Sequence, residues 1–267
     1  MKIYVLADME GISGIVDQEQ VIPTSSCYHE GRQYMTEEVN ACVQGCIDGG
    51  ATEVIVSDRH FKGRNLVWHE LHPFASYIIG ETENIPRGRI PGIENSDGVI
   101  LLGYHAMAGT ANAVLEHTWS SRSWQNLWIN DQKSGEIALD MGLAAEFNVP
   151  VIMVSGDDKA CKEASKLAPD IVTAEVKQGL TLYGAKLLSK EAAQTLIKKS
   201  AFEAVKKTKE IGPVKFKMPV TMRLECVERT FTSLNNVDKP YMKVINSRTF
   251  EVVGDCFTQA LHRLLKM

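Results

Sequence analysis

The sequence lacks the features that mark several large classes of protein. No apolar run approaches the length of a membrane span, and the short one that opens the chain stops at Asp8. The six cysteines include no C-x-x-C pair, so neither a disulfide framework nor a cysteine zinc knuckle is indicated. Lys and Arg total 29 against 33 Asp and Glu, which disfavours a nucleic-acid binder with a dominant basic surface. We therefore expect a cytoplasmic protein that binds neither nucleic acid nor membrane.

Motifs of other enzyme classes are missing as well. The turn after the first apolar run contains Gly11 and Gly14 but neither G-x-G-x-x-G nor a P-loop, and carboxylates there would repel a phosphate. No G-x-S-x-G elbow of a serine hydrolase occurs. Cys27 and His29 are too isolated to indicate a thiol catalyst. Nucleotide binding and nucleophilic serine or cysteine catalysis are thus disfavoured.

What the chain does contain is a regular alternation of apolar strands and helical patterns. With 267 residues, of which 44% are hydrophobic, it can bury a sizeable core. Continuous apolar runs predict strands that are covered on both faces. These runs are residues 3–7, 54–56, 99–102 and 151–154. Helical patterns at 35–47 and 136–147 lie between them, which predicts an α/β fold with a mostly parallel sheet covered by helices.

The C-terminal third has a different pattern. Residues 189–209 predict a long helix, and apolar residues then alternate from Val214 to Cys226 as in a half-solvated strand. Pro219 within that run indicates an edge strand or a bulge, and Asp255 is a candidate N-cap for a closing helix. We expect an α/β domain at 1–158 and a smaller α+β subdomain at 159–267 that packs against it.

Ionisable residues follow each predicted core strand. In open α/β sheets, ligands bind outside the carboxyl ends of the strands, so these groups are expected at one edge. The segments are Asp8-Met9-Glu10, Asp58-Arg59-His60, Gly103-Tyr104-His105 and Gly156-Asp157-Asp158. Any one of them alone is more simply explained as an exposed polar strand end. The four together favour a common site.

The residue types at this edge indicate a metal. Asp8 and Glu10 point the same way in an extended segment and repel each other unless a cation or a proton lies between them. His60 and His105 add nitrogen donors. Mixed carboxylate and imidazole ligands suit zinc, with manganese, cobalt or iron as alternatives.

Two further residues lie between the third and fourth strands. Glu136 is either a carboxylate in the first turn of a helix, which the helix dipole favours, or a metal ligand. His117 is either a packed histidine or an acid/base group near the metal. Sequence spacing leaves both alternatives open.

With these residues collected, the chain resembles the bacterial D-aminopeptidases, the di-zinc metallopeptidases encoded with dipeptide transporters. The resemblance covers nearly the whole chain and is strongest over residues 1–190. The matching segments are Asp8-Met9-Glu10-Gly11-Ile12-Ser13-Gly14, Asp58-Arg59-His60, Leu102-Gly103-Tyr104-His105-Ala106, Glu116-His117-Thr118, Ile129-Asn130-Asp131, Gly135-Glu136 and Val154-Ser155-Gly156-Asp157-Asp158. Thr118 departs from the pattern, in which a serine often follows the histidine.

The resemblance implies a role for each candidate. Asp8 would bridge two zinc ions per subunit, for which cobalt or manganese could substitute. Glu10 and His60 would complete one set of ligands, and His105 and Glu136 the other. His117 would be the catalytic histidine, serving substrate binding, proton transfer or nucleophilic attack. Asp58 would lie behind His60 and orient an imidazole.

The leading hypothesis is therefore a zinc aminopeptidase that hydrolyses short peptides with an N-terminal D-residue, such as D-alanyl peptides. The preference for D-residues comes from the resemblance alone, as does the expectation of a homo-oligomer, such as a decameric ring. Residues 1–158 would then be the metal-binding catalytic domain, and the subdomain at 159–267 would complete the pocket and the oligomer. Two alternatives stay open. An L,D- or L-dipeptidase could use the same metal site, and a non-catalytic module could bind a metal and a peptide without cleaving it.

Overall fold

The computed structural model describes residues 1–82, 88–229 and 239–266 and contains two sheets. The larger sheet has seven strands in the order β3-β2-β1-β4-β7-β8-β9. Its strands are β1 (Lys2–Ala7), β2 (Glu53–Asp58), β3 (Ser76–Ile78), β4 (Gly98–Tyr104), β7 (Val151–Asp157), β8 (Val172–Thr181) and β9 (Gly184–Leu187). All neighbours pair in parallel except β8 and β9, which are antiparallel. The four predicted core strands and the mostly parallel sheet are confirmed.

Both faces of this sheet are buried, which explains the continuous apolar runs. Alternate side chains of β1 belong to two separate cores, with Ile3 and Val5 on one face and Tyr4 and Leu6 on the other. Helices α1 (Tyr28–Gly49) and α4 (Lys190–Lys206) contribute to the first core. Helices α2 (Glu136–Glu146), α3 (Asp158–Leu167) and α5 (Phe257–Leu265) contribute to the second.

The smaller sheet is antiparallel and covers the second core. Its five strands run in the order β11-β12-β10-β5-β6. They are β5 (Trp124–Ile129), β6 (Gln132–Ser134), β10 (Val220–Cys226), β11 (Met242–Asn246) and β12 (Thr249–Gly254). Strands from both sides of residue 158 therefore contribute to each sheet, and the division into 1–158 and 159–267 stays a prediction.

Three local expectations for the C-terminal part are wrong. Strand β10 begins at Val220, immediately after Pro219, and is an inner strand of its sheet, so Pro219 lies outside the ladder and marks no edge. The alternation predicted from Val214 holds only from Val220, where every second side chain is buried. Cys256 rather than Asp255 is the N-cap of α5, and it makes no side-chain capping hydrogen bond.

Among the described residues, no helix is long and apolar enough to cross a membrane.

Candidate metal centre

Five of the predicted site residues meet at the carboxyl edge of the large sheet. Asp8 and Glu10 follow β1, His60 follows β2, and His105 follows β4. Glu136 is the first residue of α2. All five side chains are buried. The parallel sheet brings together residues that are separated by up to about half the chain, as the rule for open α/β sheets predicts.

Asp8 lies at the centre of this group. Its Oδ1 is 3.3 Å from Nδ1 of His60, and its Oδ2 is 3.5 Å from Nε2 of His105. Each oxygen of one carboxylate thus faces a different imidazole. This arrangement has the form that a bridging carboxylate between two cations requires.

In His60 and in His105, one ring nitrogen faces the carboxylates and the other lies within hydrogen-bond distance of a backbone carbonyl oxygen. Nε2 of His60 lies 2.8 Å from the carbonyl oxygen of Val21, while its Nδ1 lies 3.1 Å from Oε2 of Glu10. Nδ1 of His105 lies 3.0 Å from the carbonyl oxygen of Ala106. Because a carbonyl only accepts, each of these nitrogens carries the proton in the neutral ring, which leaves the other lone pair facing the carboxylates.

The donor set fits a divalent metal. Nε2 of His105 is fully buried and has no hydrogen-bond partner among the described residues, although Oε1 of Glu136 lies 3.3 Å away. Donor atoms of Asp8, Glu10 and His105 lie within 4.8 Å of one another. A metal ion would satisfy the unpaired nitrogen and neutralise the clustered carboxylates, which is what a buried mixed nitrogen and oxygen site requires.

The pKa directions in the metal-free protein agree with this interpretation. Burial and the Glu10 carboxylate raise the pKa of Asp8. Burial opposes the protonated form of His105, but Glu136 and Asp8 outweigh it and raise the pKa of that ring to about 10. Without metal, protons therefore hold the carboxylates together, and metal binding would release them.

His117 lies beside this cluster. Its ring stacks on that of His105, with centroids 3.9 Å apart and planes at 14°. Nδ1 lies 2.9 Å from the carbonyl oxygen of Leu115, and Nε2 lies 3.8 Å from Oε1 of Glu136. Donor atoms of His105, His117 and Glu136 also lie within 4.8 Å of one another. His117 is thus placed either to act on a substrate at the metals or to bind one of them.

The backbone around His117 is strained. Leu115 and Trp119, which flank it, have φ of 50° and 61°. Such values are unusual for bulky side chains and occur where the surrounding structure imposes them. The N–H of Trp119 donates to Oε1 of Glu136 at 2.7 Å. The segment that carries His117 is therefore fixed to a metal-ligand candidate.

Asp58 does not act on an imidazole in the expected way. Its carboxylate accepts hydrogen bonds from the backbone N–H and side-chain amide of Asn65, both at 2.6 Å, and from the N–H of Leu66 at 3.1 Å. The Asn65 amide also donates to the carbonyl oxygen of His60 at 2.6 Å. Asp58 therefore stabilises the loop after β2 and reaches His60 through Asn65.

The segment Asp157-Asp158 has a structural role. Asp157 caps α3 by accepting from the N–H groups of Lys159 and Ala160, and its other oxygen accepts from the N–H of Val114. Asp158 accepts from the N–H of Gly179 at 2.9 Å. The fourth strand end thus supports loops at the same edge.

Sequence reasoning missed Arg89, which stabilises Glu136. The buried guanidinium of Arg89 donates to both oxygens of Asp140, at 2.5 and 2.8 Å, and to Oε2 of Glu136 at 3.1 Å. Its face lies 4.4 Å from the ring of Trp119. Asp140 also accepts from the Tyr104 hydroxyl at 2.6 Å. A single arginine in an irregular segment has no periodicity, so the sequence held no signal for this network.

Lys177 lies in a segment, Val176-Lys177-Gln178, that also resembles the family, but the sequence assigned it no role. It lies on β8, and its buried Nζ donates to the carbonyl oxygens of Glu10, Ile12 and Ile15 at 2.6 to 2.7 Å. Burial lowers the pKa of Lys177 to about 8. One ammonium thus anchors the loop that carries Asp8 and Glu10. Its strand also contains Glu175 and Gln178, so no local pattern sets Lys177 apart.

Glycines allow this loop to approach β4. The N–H of Gly11 donates to the carbonyl oxygen of Gly103 at 2.8 Å, and a Cβ at Gly11 would overlap the carbonyl oxygen of Tyr104. Gly103 has a φ of 71°, and a Cβ there would overlap the carbonyl oxygen of Asp8. Both positions require glycine because backbone meets backbone.

A pocket of about 700 Å³ opens over the cluster. Glu10, His60 and His117 line one part of it, and Leu182 and Tyr183 from the β8–β9 hairpin line another. This volume suits a small molecule or a short peptide segment. The parallel sheet, the buried carboxylate–imidazole cluster and the pocket together define the class of protein. It is an α/β protein whose site has the residues of a metal-dependent enzyme.

Comparison with known proteins specifies the family. The model of peptidase family M55, D-aminopeptidase, matches residues 1–266, and the chain belongs to this family. It is 40% identical over 211 residues to a D-aminopeptidase of Bacillus subtilis strain 168, which covers 78% of this chain and 76% of that protein. Its fold matches that of the Zn-dependent D-aminopeptidase DppA from Bacillus subtilis, a self-compartmentalizing protease. That match has a TM-score of 0.93 and 32% identity, and it covers 100% of this chain and 96% of the other. The predicted family, the fold class and the prediction of a peptidase are confirmed.

Proposed function

We propose that this protein is a zinc-dependent D-aminopeptidase with a dinuclear site, which removes an N-terminal D-residue from short peptides such as D-alanyl peptides. The observation that carries the proposal is the Asp8 carboxylate, whose two oxygens face the imidazoles of His60 and His105. Membership of the D-aminopeptidase family and the Zn-dependent structural relative support the substrate class and the metal.

The proposed ligands follow from the donor positions. Asp8 would bridge, Glu10 and His60 would complete one set, and His105 and Glu136 the other. Zinc, when bound, supplies a Lewis acid that polarises a carbonyl oxygen and lowers the pKa of water. Cobalt and manganese stay predicted substitutes, since their ligand preferences overlap with this donor set.

His117 is the proposed catalytic residue. Its Nε2 lies 3.8 Å from Oε1 of Glu136, and the ring lines the pocket. Because Nδ1 is paired with the Leu115 carbonyl, Nε2 is the nitrogen that can exchange a proton with a substrate. In peptide hydrolysis the attacking water loses a proton and the leaving amine gains one, and Nε2 of His117 is placed to accept the first and deliver it to the amine. The stacking on His105 fixes the plane of the ring.

Metal analysis and substrate screening test the proposal together. Protein purified without chelator should contain close to two transition-metal ions per chain and should cleave D,D-dipeptides faster than L,D- or L,L-dipeptides. Preference for L,D- or L,L-dipeptides would replace the D-specific assignment with an ordinary dipeptidase. A metal-loaded protein that binds peptides without cleaving them would be a binding module, and activity that needs no metal would overturn the proposal.

Single substitutions assign the ligands. His60→Ala and His105→Ala should each lower metal content and abolish hydrolysis, while the circular dichroism spectrum stays that of the wild type. His69→Ala is the matched control, because the His69 side chain is 81% exposed and lies outside the pocket. Full metal content in either ligand variant would remove that residue from the site.

A homo-oligomer is also proposed. The structural relative is a self-compartmentalizing protease, and the β8–β9 hairpin of this chain exposes Leu180, Leu182 and Tyr183. Light scattering after size-exclusion chromatography measures the subunit count and tests the predicted decameric ring. A monomer at micromolar concentration would contradict it. Cytoplasmic localisation stays a prediction.

A further inference from the structure

One of the arginines that line the pocket is exposed to solvent. Three arginines line it. Arg89 is held by Asp140 and Glu136, and Arg59 donates to the hydroxyl of Thr82. Arg122 is exposed, and within the part of the chain that the structure describes it makes no hydrogen bond or ion pair.

The backbone fixes Arg122 relative to the metal centre. Trp119 donates its N–H to Glu136, and its ring stacks on that of Trp124 with centroids 5.6 Å apart. Between them, the N–H of Trp124 donates to the carbonyl oxygen of Ser120 at 2.9 Å, which closes a tight turn. Arg122 lies on this turn. Its Cα is therefore held at the pocket wall by the same contacts that orient a metal-ligand candidate.

The pocket is lined by carboxylates as well as by Arg122. The other ionisable lining residues near the metal centre include the carboxylates Glu10 and Glu116, which repel an anion. A carboxylate that enters the pocket is attracted to Arg122, whose planar guanidinium can donate two parallel hydrogen bonds to it. In a short peptide the C-terminal carboxylate lies only a few bonds from the N-terminal peptide bond. Because Glu10, His117 and Arg122 line the same pocket, such a substrate can contact the candidate metal centre and Arg122 together.

We propose that Arg122 binds the C-terminal carboxylate of the substrate and thereby selects short peptides that have a free carboxyl terminus. The inference rests on the proposed peptidase function and adds a specificity residue to it. Arg122 acts on substrate choice and leaves the metal site unchanged.

Paired substrates test it. Zinc-loaded wild-type protein should hydrolyse D-Ala-D-Ala with a kcat/KM about tenfold above that for the C-terminal amide D-Ala-D-Ala-NH₂, as expected for a charge-assisted hydrogen-bonded pair. Arg122→Gln should lose this preference by a rise in KM for the acid, with the amide unaffected. Arg122→Lys should keep part of it, because the charge remains while the planar fork is lost. Lys209→Gln, which removes an exposed cation outside the pocket lining, should match the wild type.

A binding experiment separates this inference from the proposed function. Analogues of both dipeptides in which a CH₂–NH group replaces the scissile amide cannot be cleaved, and calorimetry measures their affinity for each variant. Tighter binding of the acid that disappears in Arg122→Gln supports the inference even if no peptide is hydrolysed. Equal binding of acid and amide by the wild type, or equal losses for both in Arg122→Gln, would overturn it. If inorganic phosphate weakened binding of the acid analogue equally in the wild type and in Arg122→Gln, this would also count against Arg122 as the anion site.

Discussion

Replacing Glu163 by glutamine should change the pH dependence of stability. Glu163 lies on α3 and is buried. Its Oε2 accepts from the N–H of Met107 at 2.8 Å, and its Oε1 has no hydrogen-bond partner among the described residues. A Cβ on Gly135 would lie 2.8 Å from Oε1. This carboxylate therefore supports the segments that follow His105 and precede Glu136.

The magnitude follows from the raised pKa. Burial raises the pKa of Glu163 from 4.5 to about 7. Between these two values the folded protein retains a proton that the unfolded chain has lost, so stability falls as pH rises from about 4.5 to about 7 and then levels off. At about 1.4 kcal/mol per pH unit, the full loss is about 3 kcal/mol. The contribution is fully present only at acidic pH.

Urea denaturation of metal-free protein at pH 5 and pH 8 measures this effect. From pH 5 to pH 8, the free energy of unfolding of the wild type should fall by about 2 to 3 kcal/mol more than that of Glu163→Gln. Comparing the pH-dependent change removes the constant cost of placing an unpaired amide at this position. Glu175→Gln, at an exposed carboxylate, should follow the wild type. Parallel pH profiles for wild type and Glu163→Gln would refute the reasoning, because they would mean that burial does not hold the proton on Glu163.

Two further substitutions test the supports of the metal centre. Lys177→Met should destabilise the protein by about 2 to 4 kcal/mol, because three buried carbonyl groups lose a charged donor, and it should lower the metal content measured by mass spectrometry. Wild-type metal content in this variant would show that Lys177 does not position the ligand loop. Arg89→Met should lower the free energy of unfolding measured by urea denaturation by about 3 to 5 kcal/mol, since the buried Asp140 carboxylate keeps the Tyr104 hydroxyl but loses its cationic partner. Adding Asp140→Asn should recover part of the loss. An equal loss in the single and double variants would contradict the pairing.

The fold and most of the proposed ligands could be predicted because they depend on local patterns. An apolar run between turn residues locates a strand, and the end of a parallel strand locates the functional edge of the sheet. Asp8, Glu10, His60 and His105 lie at such ends. Glu136 and His117 had local alternatives, and only the resemblance to the D-aminopeptidases gave them roles.

The roles of Asp58 and Asp255 show where local reasoning fails. Asp58 precedes His60 by two residues, and this spacing made a direct contact with an imidazole plausible. Its carboxylate instead accepts from the loop around Asn65, because the chain turns back over the strand end. Asp255 has the composition of an N-cap, but the helix begins one residue later. The residues next to Asp58 and Asp255 in the sequence do not predict either result.

The sequence by itself determined the parallel sheet, its functional edge and the residue types that meet there, since strand periodicity and strand ends are properties of short segments. Only the tertiary structure decided which nitrogen of each histidine faces the metal centre, because the carbonyl groups that pair with the other nitrogen are set by loop conformation. It also decided the partners of Arg89 and Lys177, which lie 51 and up to 167 residues away along the chain. A buried charge requires a partner, and the folded chain can supply that partner from any position in the sequence. Local sequence patterns therefore cannot predict which residues will pair.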